Sequence, residues 1–136
     1  MIRVVAAVME RKGRVLICQR RAGGALALQW EFPGGKMRKS ETPRAALVRE
    51  LREELGVETR IGPEIYRTRH RYAQLPDTFE LLFFSAKAPT AAPRNLAFER
   101  IVWARREDLA RYDFLPADRL LVARLIRGEI LSRAGL

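Results

Sequence analysis

Between Thr42 and Gly56 the chain carries the punctuation of a single helix, and that helix has to satisfy two different neighbours. Thr42 stands where an N-cap accepts from the unpaired N–H groups of a first turn, Pro43 suits the first helical position, and Gly56 fits just past the end. At about 100° per residue, Leu47, Val48, Leu51 and Leu55 fall on one arc and Glu50, Glu53 and Glu54 on the adjoining one. The first arc needs a core, and the second needs an explanation. Like charges three and four residues apart cost roughly 0.2–0.5 kcal/mol per pair. The acidic arc is therefore either a solvated face or a seat for a cation. All-oxygen donors select a hard divalent ion, Mg²⁺ or Mn²⁺, and Mg²⁺ keeps several waters and takes substrate phosphates as further ligands.

Strand-like runs flank this helix. Val4 to Met9 and Arg14 to Gln19 read as strands about a turn at Lys12-Gly13, and Gly23-Gly24 opens a loop that ends at Trp30-Glu31-Phe32. Pro33-Gly34-Gly35 reads as a break that no strand continues through, with two glycines that let the backbone come close to a ligand. Thr59 to Ile61, Glu64 to Tyr72, Phe79 to Ala86 and Arg100 to Ala104 are further strand-like runs. Pro116 to Leu131 reads as a C-terminal helix whose Leu121, Val122, Leu125 and Ile126 seek the core. Mixed strands with two helices make an α/β fold, and 136 residues suit one domain spanning 1–136.

From Gly35 to Val57 the chain runs GKMRKSETPRAALVRELREELGV. Gly35, Glu41, Arg49-Glu50-Leu51, Glu53-Glu54 and Gly56-Val57 fill every specified position of the Nudix box, residues 35–57, which decides the acidic arc in favour of a cation site. The chain resembles the Nudix hydrolases, and the likeness continues outside the box. WEFPGGK before it, Gln19-Arg20, and FLPADR at Phe114 to Arg119 look like the MutT-like branch, nucleoside triphosphate pyrophosphohydrolases of the 8-oxo-dGTP diphosphatase and CTP pyrophosphohydrolase type. The resemblance implies the Nudix fold, a mixed β-sheet sandwiched between α-helices. It also implies Mg²⁺-dependent conversion of a (deoxy)nucleoside triphosphate to monophosphate and pyrophosphate, with Mn²⁺ as an alternative metal.

Such a reaction needs neutralised phosphate oxygens, an aligned water and a stabilised leaving group. On the resemblance, Glu50, Glu53 and Glu54 with the Gly34 carbonyl hold the metal, and Glu50 or Glu53 doubles as water activator. Arg49 forms an ion pair with Glu41 or orients the ligand carboxylates. MutT-like relatives often add an acid from a loop before the tryptophan strand. Ala97 stands at that spacing here, which leaves Glu99 as the nearest candidate ligand and Glu80 as a weaker one. Substrate contacts fall to Arg20, Phe32, Lys36, Tyr72 and Asp118, with core packing as the competing reading of the two aromatics. An ionised Asp118 only accepts hydrogen bonds, which suits the donor edge of guanine or the cytosine amino group. Its competing reading is a cap on the C-terminal helix.

A formal net charge of +10 points to anionic partners. A nucleotide satisfies it, and because the arginines are scattered with no basic tail or stripe, no nucleic-acid surface is expected. Val4 to Met9 is too short for a signal or a membrane span, so a cytoplasmic monomer or homodimer without a membrane partner is expected. One cysteine, Cys18, excludes an intramolecular disulfide, and one histidine, His70, excludes a multi-histidine metal site. Two rival functions remain on sequence alone: hydrolysis of a dinucleotide or nucleotide sugar, and a nucleotide- or RNA-binding domain without turnover. The complete glutamate set argues against the second.

Overall fold

Alternation along one strand divides the molecule in two. In β1 (Ile2–Arg11), Val5, Ala7 and Met9 pack into one core and Ala6 and Val8 into another, on opposite faces of the sheet. The computed structural model, which describes residues 1–130, sets β1 parallel to β6 (Thr78–Lys87), from Ile2↔Phe79 to Met9↔Ala86. β6 repeats the division, sending Leu82, Phe84 and Ala86 one way and Leu81 and Phe83 the other. β5 (Arg60–Arg71) lines the outer edge of β6 antiparallel, and β4 (Gly34–Lys36) pairs antiparallel with Val4, Val5 and Ala6 on the far side of β1. A second, antiparallel group is formed by β2 (Arg14–Gln19), β3 (Trp30–Glu31) and β7 (Arg100–Arg105), and is joined to the first through the β1–β2 hairpin.

Helix α1 (Pro43–Leu55) covers one face with Ala46, Leu47, Leu51 and Leu55, and α2 (Arg119–Ile126) covers the other with Leu121, Val122 and Leu125. The result is the expected α/β arrangement, a mixed sheet between helices. Leu51 is fully buried, so Leu51→Ala would cost about 2–5 kcal/mol. Thr42 caps α1 by accepting from the Ala45 N–H at 3.2 Å, and Gly56 ends it at φ +65°, where a left-handed residue costs glycine nothing.

Several expected boundaries move. Gly34 and Gly35 do belong to a strand: Pro33 ends one short strand, and the chain immediately starts another against β1. A Cβ on Gly34 would lie 1.9 Å from the Val5 carbonyl oxygen. Glycine here permits the strand, since it marks where two backbones nearly touch. The two runs expected at 59–61 and 64–72 are one strand, because Gly62-Pro63 is absorbed by register shifts instead of breaking the ladder. The C-terminal helix is shorter than expected. Pro116–Asp118 is a 3₁₀ turn, α2 ends at Ile126, and Leu131 lies outside the described residues. Ile126 is exposed, and on α1 it is Ala46, not Val48, that joins the core. Arg106–Arg111 forms an unexpected 3₁₀ segment. Among the described residues no helix is long and apolar enough to cross a membrane.

Candidate active site

The turn from β4 into α1 is built by close contact with the acidic arc. The Gly34 N–H donates to Glu54 Oε1 at 2.9 Å, and a Cβ on Gly35 would lie 2.5 Å from the Glu50 carboxyl carbon. Gly34 sits at φ +154°, in a conformation that side chains other than glycine's rarely adopt. Gly35 thus lets the backbone lie against the Glu50 carboxylate, and Gly34 lets it lie against β1 while its N–H reaches Glu54.

On the outer rim Arg49 gathers the acids. Its guanidinium donates to both Glu41 oxygens at 2.6 and 2.8 Å, to Glu50 Oε1 at 2.9 Å, to Glu53 Oε1 at 3.4 Å and to the Lys36 carbonyl at 3.2 Å. The Arg38 N–H also donates to Glu41, at 2.8 Å. Glu41 is held at about 2, first by the Arg49 hydrogen bond and then by the Arg38 N–H. Only a planar fork can hold three carboxylates in this way. The expected Glu41–Arg49 pair is thus present in the geometry, and Arg49 reaches the glutamates of the arc as well.

Deeper in, the balance reverses. Glu54 is pushed up to about 9 by burial and by Glu31, the Gly34 N–H opposes this, and Glu50 and Glu53 add to the rise. Glu31 is itself raised by burial, against the pull of Arg20, whose guanidinium lies 3.2 Å away. Asp118, only 3% exposed, is raised well above its ordinary value by burial and then by Glu31, with the Phe32 N–H opposing. A cavity of about 410 Å³ is lined by Gly34, Gly35, Lys36 and Glu54 together with Arg20, Glu31, Phe32, Tyr72 and Asp118. One hollow therefore collects Gly34, Lys36 and Glu54 with the residues expected to handle a base, while Glu50 and Glu53 lie outside its lining.

Other placements differ from expectation. Asp118 makes no capping bond to α2, so the helix-cap reading is set aside, and its side chain lines the cavity. Burial and the nearby Glu31 disfavour the charged form of Asp118 that an acceptor-only role assumes. Phe32 stacks on Phe114 at 5.5 Å and Tyr72 meets Phe79 edge-on at 5.7 Å, so each is a core residue and a cavity wall together. Glu99 is exposed at the start of β7 and lines neither cavity at the glutamates. Ala97 instead lines the adjoining hollow of about 320 Å³ that also touches Glu54 and Glu31. Glu80 is not at the site: it lies on β6 between Arg3 at 3.1 Å and Arg69 at 3.4 Å.

Glu31 is the functional candidate that sequence reasoning passed over. The signal was available, since a carboxylate between Trp30 and Phe32 in a short strand must point opposite to two buried aromatics. That direction leads to Cys18 and the glutamate helix.

The donor set suits a divalent cation. It offers only carboxylate oxygens, and Glu54 carries a charge that burial and three neighbouring acids disfavour, the situation a cation relieves. Among the described residues no three acidic, histidine or cysteine side chains already converge as a closed ligand set, because Glu50 and Glu53 accept from Arg49 and Glu54 from Gly34.

Comparison with known proteins agrees with this geometry. Residues 1–125 match the NUDIX domain. The chain is 38% identical over 118 residues to the Escherichia coli CTP pyrophosphohydrolase, covering 87% of this chain and 86% of that protein. It is 37% identical over 131 residues to a putative 8-oxo-dGTP diphosphatase 2 of Mycobacterium tuberculosis, covering 91% and 87%. Among solved structures, the solution structure of the E. coli ORF135 protein superposes with a TM-score of 0.79 at 34% identity, over 95% of this chain and 91% of that one.

Proposed function

This chain belongs to the Nudix family, and on that premise we propose that it is a MutT-like pyrophosphohydrolase converting a nucleoside or deoxynucleoside triphosphate to the monophosphate and pyrophosphate. The observation that carries the reading is the shared cavity, in which Glu54 and the Gly34-Gly35 strand line the same space as Phe32, Tyr72, Glu31 and Asp118. Relatives named for CTP and 8-oxo-dGTP hydrolysis support the substrate class. Nudix hydrolases generally depend on a divalent metal, and Mg²⁺ held by Glu50, Glu53, Glu54 and the Gly34 carbonyl would supply charge neutralisation on the phosphate oxygens.

The chain's own residues do the rest. Arg49 fixes Glu50 and Glu53 in place while Glu41 fixes Arg49, so the carboxylates need little reorganisation. Glu53, half exposed at the rim, is placed to take a proton from an attacking water, with Glu50 as the alternative base. Lys36 and Arg20 line the cavity and contact phosphate oxygens. Glu31 and Asp118 present carboxyl groups to the base edge, and Phe32 and Tyr72 wall its faces.

The test is product analysis. The protein is incubated with canonical, methylated and oxidised triphosphates and Mg²⁺, and the products are separated by chromatography. Monophosphate with pyrophosphate is expected. Monophosphates released only from dinucleotides or nucleotide sugars would replace this reading with the neighbouring one.

A further inference from the structure

The register of three strands gathers a basic strip that the linear sequence conceals. Arg3 on β1, Glu80 on β6 and Arg69 on β5 are direct cross-strand partners, and Arg67 and Arg71 extend the same face of β5 on either side of Arg69. This is the face that α1 covers farther along, at Val5 and Leu82, but here the side chains stand open, Arg69 at 67% exposure and Arg67 at 48%. Glu80 is consumed between Arg3 and Arg69, and Glu64 pairs with Arg67. Arg71 makes no ion pair among the described residues. Four arginines against two carboxylates leave a net positive strip. It continues toward the active site, because the Arg3 carbonyl accepts the Met37 N–H, and Arg38, next in the chain, lies 3.7 Å from Glu53 on the acidic rim.

We propose that this strip docks the phosphate backbone of a single nucleic-acid strand. Side chains on one face of a strand repeat about every 6.6 Å, so Arg67, Arg69 and Arg71 form a row of guanidiniums along the edge of the sheet, suited to successive phosphates. The alternate positions Tyr66, Thr68 and His70 face the opposite side, leaving no aromatic platform within the row. Recognition is therefore of backbone charge and not of base identity. Binding does not depend on the proposed hydrolysis, so the two readings fail separately.

The test measures binding of a short 5′-labelled single-stranded RNA by fluorescence anisotropy across a salt series. The triple variant Arg67→Gln/Arg69→Gln/Arg71→Gln is compared with Arg11→Gln/Arg14→Gln/Arg105→Gln, which removes the same charge at the far end of β1 and β2. The strip variant should lose at least tenfold in affinity, and its salt slope should fall by about 2, that is about 0.7 for each phosphate no longer neutralised. The far-end variant should lose less than twofold, and Glu53→Gln should still bind. Equal losses in the two triple variants would mean bulk charge alone, and undetectable binding by the parent at low salt would also overturn the proposal. So would capture by anionic phospholipid vesicles that is as strong and depends on the same arginines, which would make the strip a membrane-facing surface. If the triple variant does not fold, Arg71→Glu, a single exposed change, carries the same comparison.

Discussion

The carboxylates of the rim and those of the interior lie within one site but face opposite surroundings. Glu41, Glu50 and Glu53 stand around Arg49, and Glu41 is held at about 2. Glu31, Glu54 and Asp118 line one cavity beside β4, with Arg20 against Glu31, and Glu54 is pushed up to about 9. Residues of the same chemical type are thus divided by one guanidinium. The rim is an acid cluster tied together by one guanidinium, while in the interior burial and neighbouring acids disfavour the charged carboxylate, a cost that a cation would relieve.

Breaking the interior at Glu54, the carboxylate proposed to hold the metal, should have the largest effect. Glu54→Gln keeps an acceptor for the Gly34 N–H but removes the charge, so kcat should fall more than the roughly 10–100-fold typical of residues that only orient the ligands, with Tm unchanged or raised. Retention of the parental rate would remove Glu54 from the metal set. Breaking the rim comes next. Arg49→Ala should lower kcat and weaken metal affinity together, by about 10–100-fold. Arg49→Lys should recover little, since an ammonium cannot grip Glu41 with two parallel bonds and still reach Glu50. A rise confined to KM would move Arg49 to the substrate phosphates.

The base end offers a finer distinction. Asp118→Ala should cost about 10–100-fold in kcat/KM for the preferred base and less for poor ones, from a lost buried hydrogen bond of roughly 1–3 kcal/mol. Asp118→Asn keeps the shape and one acceptor and adds a donor, so it should alter the preference among bases more than Asp118→Ala does. A uniform loss across bases in both variants would assign Asp118 to packing.

The smallest effect separates the two groups by pH. Glu54 has a folded value raised above its ordinary 4.5, so its contribution to stability is complete below about 4.5 and is lost as pH rises through about 9. Without divalent ions, Tm should decline from pH 5 to 9, and Mg²⁺ should offset the decline most at the alkaline end. Glu41 behaves in the reverse sense, its contribution being present above 4.5 and lost only as pH falls through about 2. A melting curve series of Glu54→Gln that declines as steeply as the parent would locate the alkaline loss elsewhere.

Local chemistry was the legible part of this molecule. Helix α1 has the bounds its caps announce, Pro43 to Leu55, and β2 matches its expected span, because each is specified by neighbours in sequence. The features that were not legible depend on partners far away. Gly34-Gly35 looks like a break until Val5 is seen to pair with it, and Gly62-Pro63 looks like a break until β6 supplies a ladder that tolerates the irregularity. At the site, the pairing of Arg49 with Glu41 was implied by the resemblance of one contiguous segment to the Nudix box. The burial of Glu31 and of Asp118 was not, since each depends on a wall assembled from several elements. Glu99 and Glu80 were judged by distance along the chain, which says nothing about the side of the sheet they occupy.

The division along β1 bears on how such a chain can change over generations. Ala6 and Val8 pack into the core on the α2 side while Val5 and Ala7 pack into the core under the glutamate helix, and Val4, Val5 and Ala6 all border the cavity, so the two packing roles alternate along the strand. Inserting or deleting one residue within β1 would exchange the two sets wholesale, turning the α2-side residues toward the glutamate helix and the helix seat toward α2. Variation in chain length should therefore be confined to loops such as 21–29 and 88–95, while this strand evolves by substitution alone.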